Sequence, residues 1–239
     1  MSDLQIALVV EGPTVRIIIE AALKAILAPQ SFTAHLLQPE TSDALGDAGD
    51  LGGGWGGVYR WCRQQVSMGF PVAQNPSLAW FNMVIVHLDA DVAGKRYQEA
   101  NIEDELDDLP CELPCPPATA SVDTLQSVTS RWLNLPETKP EKWVFCIPSK
   151  CSEAWLVASL YQASEPDVMR NIECYPTLDN WLGQRPLREG ARLIRGGKKQ
   201  RRVYQEKAPV LTRSWGEVCR HCAQAVRFND DVQVALHGH

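Results

Sequence analysis

The chain predicts an α/β fold: a mainly parallel four-stranded sheet flanked by helices, followed by a mostly helical C-terminal extension. Short apolar runs alternate with amphipathic helical stretches over the first two thirds of its 239 residues, as in strands joined by helical crossovers. Hydrophobic residues make up 45% of the chain, which is enough for an ordinary core. We expect the core over residues 1–165 and a basic, helical extension, packed on that core, over residues 166–239.

The first strand and helix are predicted close to the N-terminus. An apolar run over residues 4–10 predicts the strand, and residues 14–27 predict a helix that opens after Pro13, since a first helical turn tolerates proline. Residues 32–37 predict a second strand.

A glycine-rich loop follows the second strand. Seven glycines lie from Gly46 to Gly57, and the loop lacks the Lys-Ser/Thr ending of a P-loop. We interpret it as a connection, with a lid or a phosphate-contacting loop as the alternative. Apolar residues at helical spacing then predict a helix over residues 58–68.

The second half of the core repeats the alternation. Residues 83–88 are almost continuously apolar, which indicates a strand covered on both faces. Residues 99–112 contain seven acids and no Lys or Arg, typical of a solvated helix or loop. A helix over residues 121–133, a fourth strand over residues 143–147 and a helix ending at Tyr161 complete the predicted core.

The last third is less regular, because glycines and prolines, including Pro209, interrupt its pattern. The final helix is predicted over residues 214–228. No segment resembles a secretion signal or approaches the roughly 20 apolar residues that cross a bilayer. We therefore expect a soluble, cytoplasmic protein without membrane contact.

Eight cysteines are dispersed along the chain. Without a secretion signal, this favours reduced thiols. Cys219 and Cys222 have the spacing of half a zinc site, which Cys111 and Cys115 would complete. We favour the alternative, that Cys219 and Cys222 are small core residues on one helix face.

Charge is unevenly distributed. The net charge of -6 argues against a generic nucleic-acid binder, yet residues 185–207 hold nine Lys or Arg against two Glu, a local charge of +7. Such a segment is suited to contacting a polyanion, with an ordinary solvated surface as the alternative. Tyr204 could stack on a base. We expect five basic residues to contact nucleic acid: Lys150, Lys198, Lys199, Arg201 and Arg202.

Carboxylates follow two of the predicted strands. Glu11 ends the first strand, and Asp89 and Asp91 follow the third. Parallel strands share the edge at their carboxyl ends, so these acids are predicted to converge and bind a hard divalent cation, Mg²⁺ or Mn²⁺. The alternatives are that Glu11 merely favours a helix N-terminus and that Asp91 caps a helix.

His87 lies two positions before Asp89. It is interpreted as a buried, hydrogen-bonded histidine, with general base as the alternative. Ser149 and Ser152 are interpreted as helix caps rather than phosphate contacts.

These motifs resemble the Toprim domain of topoisomerases, primases and overcoming-lysogenization-defect (OLD) nucleases, over about residues 4–165. The resemblance rests on strand-Glu11-Gly12-Pro13-Thr14, on strand-Asp89-x-Asp91 and on Ser152-Glu153-Ala154-Trp155-Leu156. It implies a metal-dependent nuclease, often encoded beside a partner ATPase in anti-phage defence.

The resemblance also implies roles for single residues. Glu11 would be a metal ligand or the general acid/base, Asp89 and Asp91 would be metal ligands, and Glu153 would complete a second metal site. For the catalytic lysine, Lys150 is the residue we name, with Lys198 and Lys199 as further candidates. The chain departs from the pattern at Val15, where stand-alone members often have a second Glu. The alternative for Glu153 is that it has no catalytic role and is an acid of the kind common in the first turn of a helix.

Three functions are therefore predicted, in order of preference. The first is a nuclease acting on nucleic acid, with DNA as the expected substrate and a partner ATPase as its regulator. The second is a non-catalytic scaffold or sensor that binds nucleic acid or a partner protein. The third is a haloacid-dehalogenase-type phosphatase with Asp89 as nucleophile, which leaves Glu11 without a role.

Overall fold

A four-stranded parallel sheet lies at the centre of the fold. In the computed structural model, which describes residues 3–39, 49–103, 106–187 and 190–237, the sheet has the order β2-β1-β3-β4 and every neighbouring pair is parallel. Its strands are β1 (Leu4–Val9), β2 (Phe32–Gln38), β3 (Met83–His87) and β4 (Trp143–Cys146). The predicted α/β fold is confirmed, with each strand within two residues of its expected bounds.

Helices cover both faces of the sheet. Those within the first two thirds of the chain are α1 (Pro13–Ile26), α2 (Gly54–Val66), α3 (Pro76–Ala79), α4 (Thr119–Trp132) and α5 (Glu153–Tyr161). The side chains of β1 alternate between the two faces: Ile6 and Leu8 pack with α1 and α5, whereas Ala7 and Val9 pack with α2 and α4. This alternation explains why the strand is apolar at every position from Ile6 to Val9.

The C-terminal third is helical, as predicted, and shares a core with the sheet. It contains α6 (Pro166–Met169), α7 (Leu178–Gln184), a hairpin of β5 (Ile194–Arg195) and β6 (Lys198–Lys199), α8 (Arg201–Arg213), α9 (Trp215–His221) and α10 (Ala223–His237). Tyr204, Leu211 and Phe228 belong to the same buried cluster as Ile6 and Trp155.

Two features of this third differ from the sequence prediction: Pro209 does not interrupt a helix, and the helix predicted over residues 214–228 is divided in two. Helix α8 continues through Pro209, which is exposed on the helix surface, where the missing N–H costs less than in the core. The final helix is broken at Cys222, whose backbone is extended at φ -126 and ψ 105. The break is stabilised by Glu173, whose carboxylate accepts hydrogen bonds from the N–H groups of Ala223 and Gln224 at the start of α10.

The glycine-rich segment is partly helical. Residues 46–48 lie outside the described residues, but α2 begins at Gly54 rather than at residue 58. A Cβ atom at Gly57 would collide with the carbonyl oxygen of Gly52 and with Nε2 of Gln38, so only glycine fits there. The acidic segment after β3 begins within a short 3₁₀ helix, Tyr97–Ala100.

Two cysteines form a disulfide bond, which corrects the expectation of reduced thiols at these positions. Cys115 and Cys174 are bonded with their Cα atoms 5.3 Å apart, although 59 positions separate them in sequence. With Cys115 bonded in this way, it cannot complete the zinc site considered with Cys111. Cys222 is buried and Cys219 is half-buried against the same core, as expected for small core residues.

No helix among the described residues has the length and the apolar character needed to cross a bilayer.

Trp155 connects the sheet layer to the C-terminal helices and provides a test of the shared core. Its fully buried ring lies 5.3 Å from the ring of Trp215 and 5.6 Å from that of Phe228, measured between centroids. We expect Trp155→Ala to lower the free energy of unfolding by about 3–5 kcal/mol, because a large core side chain leaves a cavity. Urea denaturation measures this loss.

Trp80→Ala is the matched control, since Trp80 is 53% exposed and contacts His35 and Phe81 at the surface. We expect it to cost at most about 1.5 kcal/mol. Equal losses for the two variants would argue against a single core.

Candidate metal centre

Acids from three neighbouring strands meet at the carboxyl edge of the sheet. Glu11 and Asp89 each lie two residues beyond their strands, β1 and β3, and Glu153 is the first residue of the helix that follows β4. The order β1-β3-β4 makes these three strand ends adjacent. The sequence separations are large, so only the parallel topology brings these side chains together.

Two hydrogen bonds link the three strand ends. Oε1 of Glu11 accepts a hydrogen bond of 2.7 Å from the backbone N–H of Asp89. Oδ1 of Asp89 accepts one of 2.9 Å from the backbone N–H of Ser152. Ser152 was expected to cap α5 through its hydroxyl, but it makes no side-chain cap and acts through its backbone instead.

The carboxyl groups in this cluster are crowded and poorly hydrated. Burial, followed by the neighbouring Asp89 charge, raises the pKa of Glu11 to about 8. Burial and the Glu153 charge raise the pKa of Asp89 well above its ordinary range. Asp91 adds to both shifts, which indicates that its carboxylate lies near the other two. Negative charge is therefore costly here unless a cation is present.

Asp91 occupies the outer side of the cluster. It lies within a short 3₁₀ turn, Ala90–Val92, and so does not cap a following helix. Its side chain is 52% exposed and forms an ion pair of 3.0 Å with Lys95.

His87 lies beneath Asp89 at the end of β3. Its Nε2 atom is 3.2 Å from Oδ1 of Asp89, but neither ring nitrogen makes a hydrogen bond of normal geometry. Burial lowers the pKa of His87 to about 4, so the ring is neutral at pH 7. The predicted burial is confirmed, whereas the predicted hydrogen bond is not formed.

Glu153 is the most deeply buried acid of the cluster. It has no exposed surface, and its Oε1 atom lies 2.6 Å from Nζ of Lys199 and accepts a 3.1 Å hydrogen bond from the hydroxyl of Tyr204. Its other oxygen, Oε2, is buried without a hydrogen-bond partner. Burial acts to lower the pKa of Lys199, but the Glu153 carboxylate outweighs it and the net shift is upward.

Of the three lysines considered for the catalytic role, the one that contacts an acid of the cluster is Lys199, through Glu153, rather than Lys150. Lys150 has a left-handed backbone, φ 60, and its ammonium group pairs with Glu112, so the structure does not bring it to the carboxylates. Lys199 was predicted from its charge as a nucleic-acid contact and was a further candidate for the catalytic lysine, but its link to Glu153 had no signal in the sequence.

The other basic residues predicted to contact nucleic acid in this segment lie outside the acidic cluster. Lys198 and Arg201 are exposed, and Arg202 is exposed with a 3.0 Å ion pair to Glu206. Tyr204 is fully buried, so the expectation that it stacks on a base was wrong. Its hydroxyl donates a hydrogen bond to Glu153 instead.

One group of ligand-type side chains was missed. Ligand atoms of Cys151, Glu153 and Asp179 lie within 4.8 Å of one another, the only group of three with this spacing that the described part of the chain contains. Cys151 precedes Glu153 by two positions, a spacing that could have drawn attention to it. Asp179, in the first turn of α7, had no signal, because its approach depends on tertiary packing.

The predicted ligand set is therefore assembled only in part. Glu11, Asp89 and Asp91 share one edge, but their ligand atoms do not form a triplet with that spacing. Closing them around one ion would require side-chain rotation. The crowded carboxylates and the unpartnered Oε2 of Glu153 are features that a cation would relieve, so the donor set fits a metal ion.

The described part of the glycine-rich segment lies beside this edge. The N–H of Gly54 donates a 2.8 Å hydrogen bond to the backbone carbonyl of Glu11. A cleft of about 670 Å³ opens next to it, lined by Gly52, Trp55, Arg60 and Glu99 among others.

Comparison with known proteins adds no family: no family model matches the chain, and no curated protein or solved structure matches it. Function must therefore be argued from the site itself.

The raised pKa of Glu11 predicts how stability depends on pH. The folded chain keeps the Glu11 proton up to about pH 8, whereas the unfolded chain loses it near the ordinary value of 4.5. The folded state thus binds more protons in between, and its stability falls as the pH rises through that window. Glu11→Gln keeps the hydrogen bond from Asp89 without the titration, so we expect a smaller fall in its free energy of unfolding.

Denaturant titrations in metal-free buffer, from about pH 5 to about pH 8, measure the difference between wild type and variant. Glu141→Gln, at an exposed position, is the control and should follow the wild type. Parallel pH profiles for wild type and Glu11→Gln would contradict the assignment.

Proposed function

We propose that the chain is a divalent-metal-dependent nuclease that hydrolyses phosphodiester bonds in nucleic acid, with DNA as the expected substrate. The observation that carries this proposal is the convergence of Glu11, Asp89 and Glu153 at adjacent strand ends. Hydrogen bonds from Asp89 N–H to Glu11 and from Ser152 N–H to Asp89 hold these ends together. The resemblance of the same residues to the Toprim motifs also supports it.

Glu11, Asp89 and Asp91 would hold one Mg²⁺ or Mn²⁺ ion, and Glu153 would contribute to a second site. When bound, such an ion polarises a phosphoryl oxygen and activates a water molecule. Asp89 supports the ligand arrangement further, because its bond from Ser152 ties the end of β3 to the start of α5.

Glu11 would act either as a ligand of that ion or, if it does not bind the ion, as the general acid/base of the proposed reaction. In the metal-free chain its pKa of about 8 lies close to neutral pH, where a group can both release and accept a proton. Lys199 provides positive charge against the acidic edge and would approach a phosphate, while Tyr204 donates a hydrogen bond to the same Glu153 oxygen.

The exposed basic residues next to Lys199 extend this site toward a nucleic-acid backbone. Lys198 and Arg201 flank Lys199 in the chain and face solvent. Arg202 adds a third charge, partly compensated by Glu206. Contacts of this kind orient a polyanion without reading its sequence.

The Toprim resemblance also suggests a biological setting. The nuclease would act in the cytoplasm as the effector of an anti-phage defence system, inactive until a partner ATPase releases it. The metal-free site is compatible with a silent state, because Lys199 already neutralises Glu153.

A non-catalytic scaffold or sensor is the second candidate. It is favoured by the observation that Glu11 and Asp89 each accept a backbone hydrogen bond that holds two strand ends together, which is a structural role. A phosphatase has less support, since Asp89 as nucleophile would be buried and its pKa is raised, which disfavours the reactive carboxylate.

Removal of single acids tests the proposed catalysis. We expect Asp89→Asn and Glu11→Gln each to reduce Mg²⁺- or Mn²⁺-dependent plasmid nicking by at least about 100-fold, because both remove a charge at the reacting centre. Circular dichroism should show an unchanged fold. Asp167→Asn, at an 86% exposed side chain, is the matched control and should nick at the wild-type rate.

The two candidate functions give different results in this assay. Unchanged nicking by Asp89→Asn would reject the nuclease mechanism. If wild type fails to nick under all metals and with the partner ATPase, while the variants still bind that partner, the scaffold is favoured.

Binding of nucleic acid is tested separately from cleavage. We expect Lys198→Ala and Arg201→Ala each to weaken DNA binding and to reduce the slope of log K against log salt by about 0.9, the share of one phosphate contact. Arg170→Ala, at a 77% exposed side chain in another part of the fold, is the control. Fluorescence anisotropy at several salt concentrations measures both quantities, and unchanged slopes would exclude these contacts.

A further inference from the structure

We propose that Cys151, Glu153 and Asp179 bind a thiophilic divalent transition-metal ion of the Zn²⁺ class. The evidence is the geometry of the three side chains, the unpartnered oxygen of Glu153 and the local balance of charge.

The three ligands come from two helices that the core holds together. Cys151 lies in the turn before α5, Glu153 begins α5 and Asp179 lies in the first turn of α7. Leu178 and Leu182 of α7 are buried in the same cluster as α5. The ligand atoms lie within 4.8 Å of one another. Zinc–ligand bonds of about 2.0–2.3 Å place tetrahedral ligands roughly 3.5 Å apart, so only a small closure is needed.

The buried Oε2 atom of Glu153 is a second, independent indication that a ligand binds here. Lys199 and Tyr204 contact Oε1, whereas Oε2 is fully buried without a hydrogen bond. A carboxylate oxygen left unpaired in a protein interior is costly, and a metal–oxygen bond would satisfy it.

The charges of the three ligands and of Lys199 balance with a divalent ion. Glu153, Asp179 and the Cys151 thiolate contribute three negative charges, and Lys199 contributes one positive charge. A divalent cation brings the sum to zero. On binding, the Cys151 thiol gives its proton to solvent and forms the sulfur–metal bond, so no oxidant or reductant is required.

The sulfur ligand selects the class of ion. Mg²⁺ prefers oxygen ligands, whereas thiolates favour Zn²⁺ and related softer ions. Three protein ligands leave a fourth position for water, as in catalytic rather than structural zinc sites.

The inference rests on the proposed nuclease function and deepens it by naming the ion that binds at Glu153, a residue that both proposals use. Binding is measured without cleavage, so the two proposals can fail separately.

Cadmium titration of the disulfide-bonded protein tests the site, because a Cd²⁺–thiolate bond produces an ultraviolet charge-transfer band. We expect one equivalent of Cd²⁺ to produce the band in wild type and in Cys219→Ser, a matched control at another half-buried thiol. Cys151→Ser should abolish it. Asp179→Asn should weaken binding at least about tenfold, the minimum effect seen for groups that only support a ligand.

A second variant separates loss of the ligand from loss of the fold. Cys151→Asp replaces sulfur by oxygen and keeps the negative charge, so we expect it to bind Mn²⁺ more tightly and Cd²⁺ less tightly than wild type does. Retention of the band in Cys151→Ser, or its absence from folded wild type, would overturn the inference. Nicking by a wild type that shows no band would overturn this site and leave the nuclease proposal standing.

Discussion

The geometry of the site depends on Asp89, which forms hydrogen bonds with residues at the ends of both neighbouring strands, β1 and β4. Its backbone N–H donates to Glu11 after β1, and its carboxylate accepts from Ser152 after β4. These bonds span 78 and 63 positions of sequence, and each joins an ionisable side chain to the backbone of the next strand end. A hydrogen bond to a neutral group contributes about 0.5–1.5 kcal/mol, so the two acids stabilise this edge of the sheet. Asp89 therefore combines a structural role at the sheet edge with its proposed role as a metal ligand.

The C-terminal third completes the electrostatics of the sheet edge. Glu153 would be an isolated buried charge if the core ended at residue 165, and such a charge is strongly unfavourable. Lys199 from the β5–β6 hairpin and Tyr204 from α8 compensate it, and Asp179 from α7 approaches from the same part of the chain. The site thus draws residues from both sides of the predicted boundary.

The sequence predicted the elements whose signals are local. Buried parallel strands are continuous apolar runs, and Glu11 and Asp89 stand where such runs end, so their common edge followed from topology. The contacts of Asp179, Lys199 and Glu173 carry no local signal, because each joins segments that are distant in sequence. The same reason explains the unexpected Cys115–Cys174 bond.

The segment around Lys199 directs positive charge both toward the buried Glu153 and toward solvent. In the β5–β6 hairpin and the first turn of α8, Lys199 and Tyr204 face Glu153, whereas Lys198 and Arg201 face solvent. Because these residues are almost contiguous, a nucleic acid bound to the outer charges would lie beside the acidic edge. A cation entering at Glu153 would weaken the Lys199–Glu153 pair by repulsion and free the ammonium group for a phosphate. On the proposed function, metal binding would therefore precede productive binding of the nucleic acid.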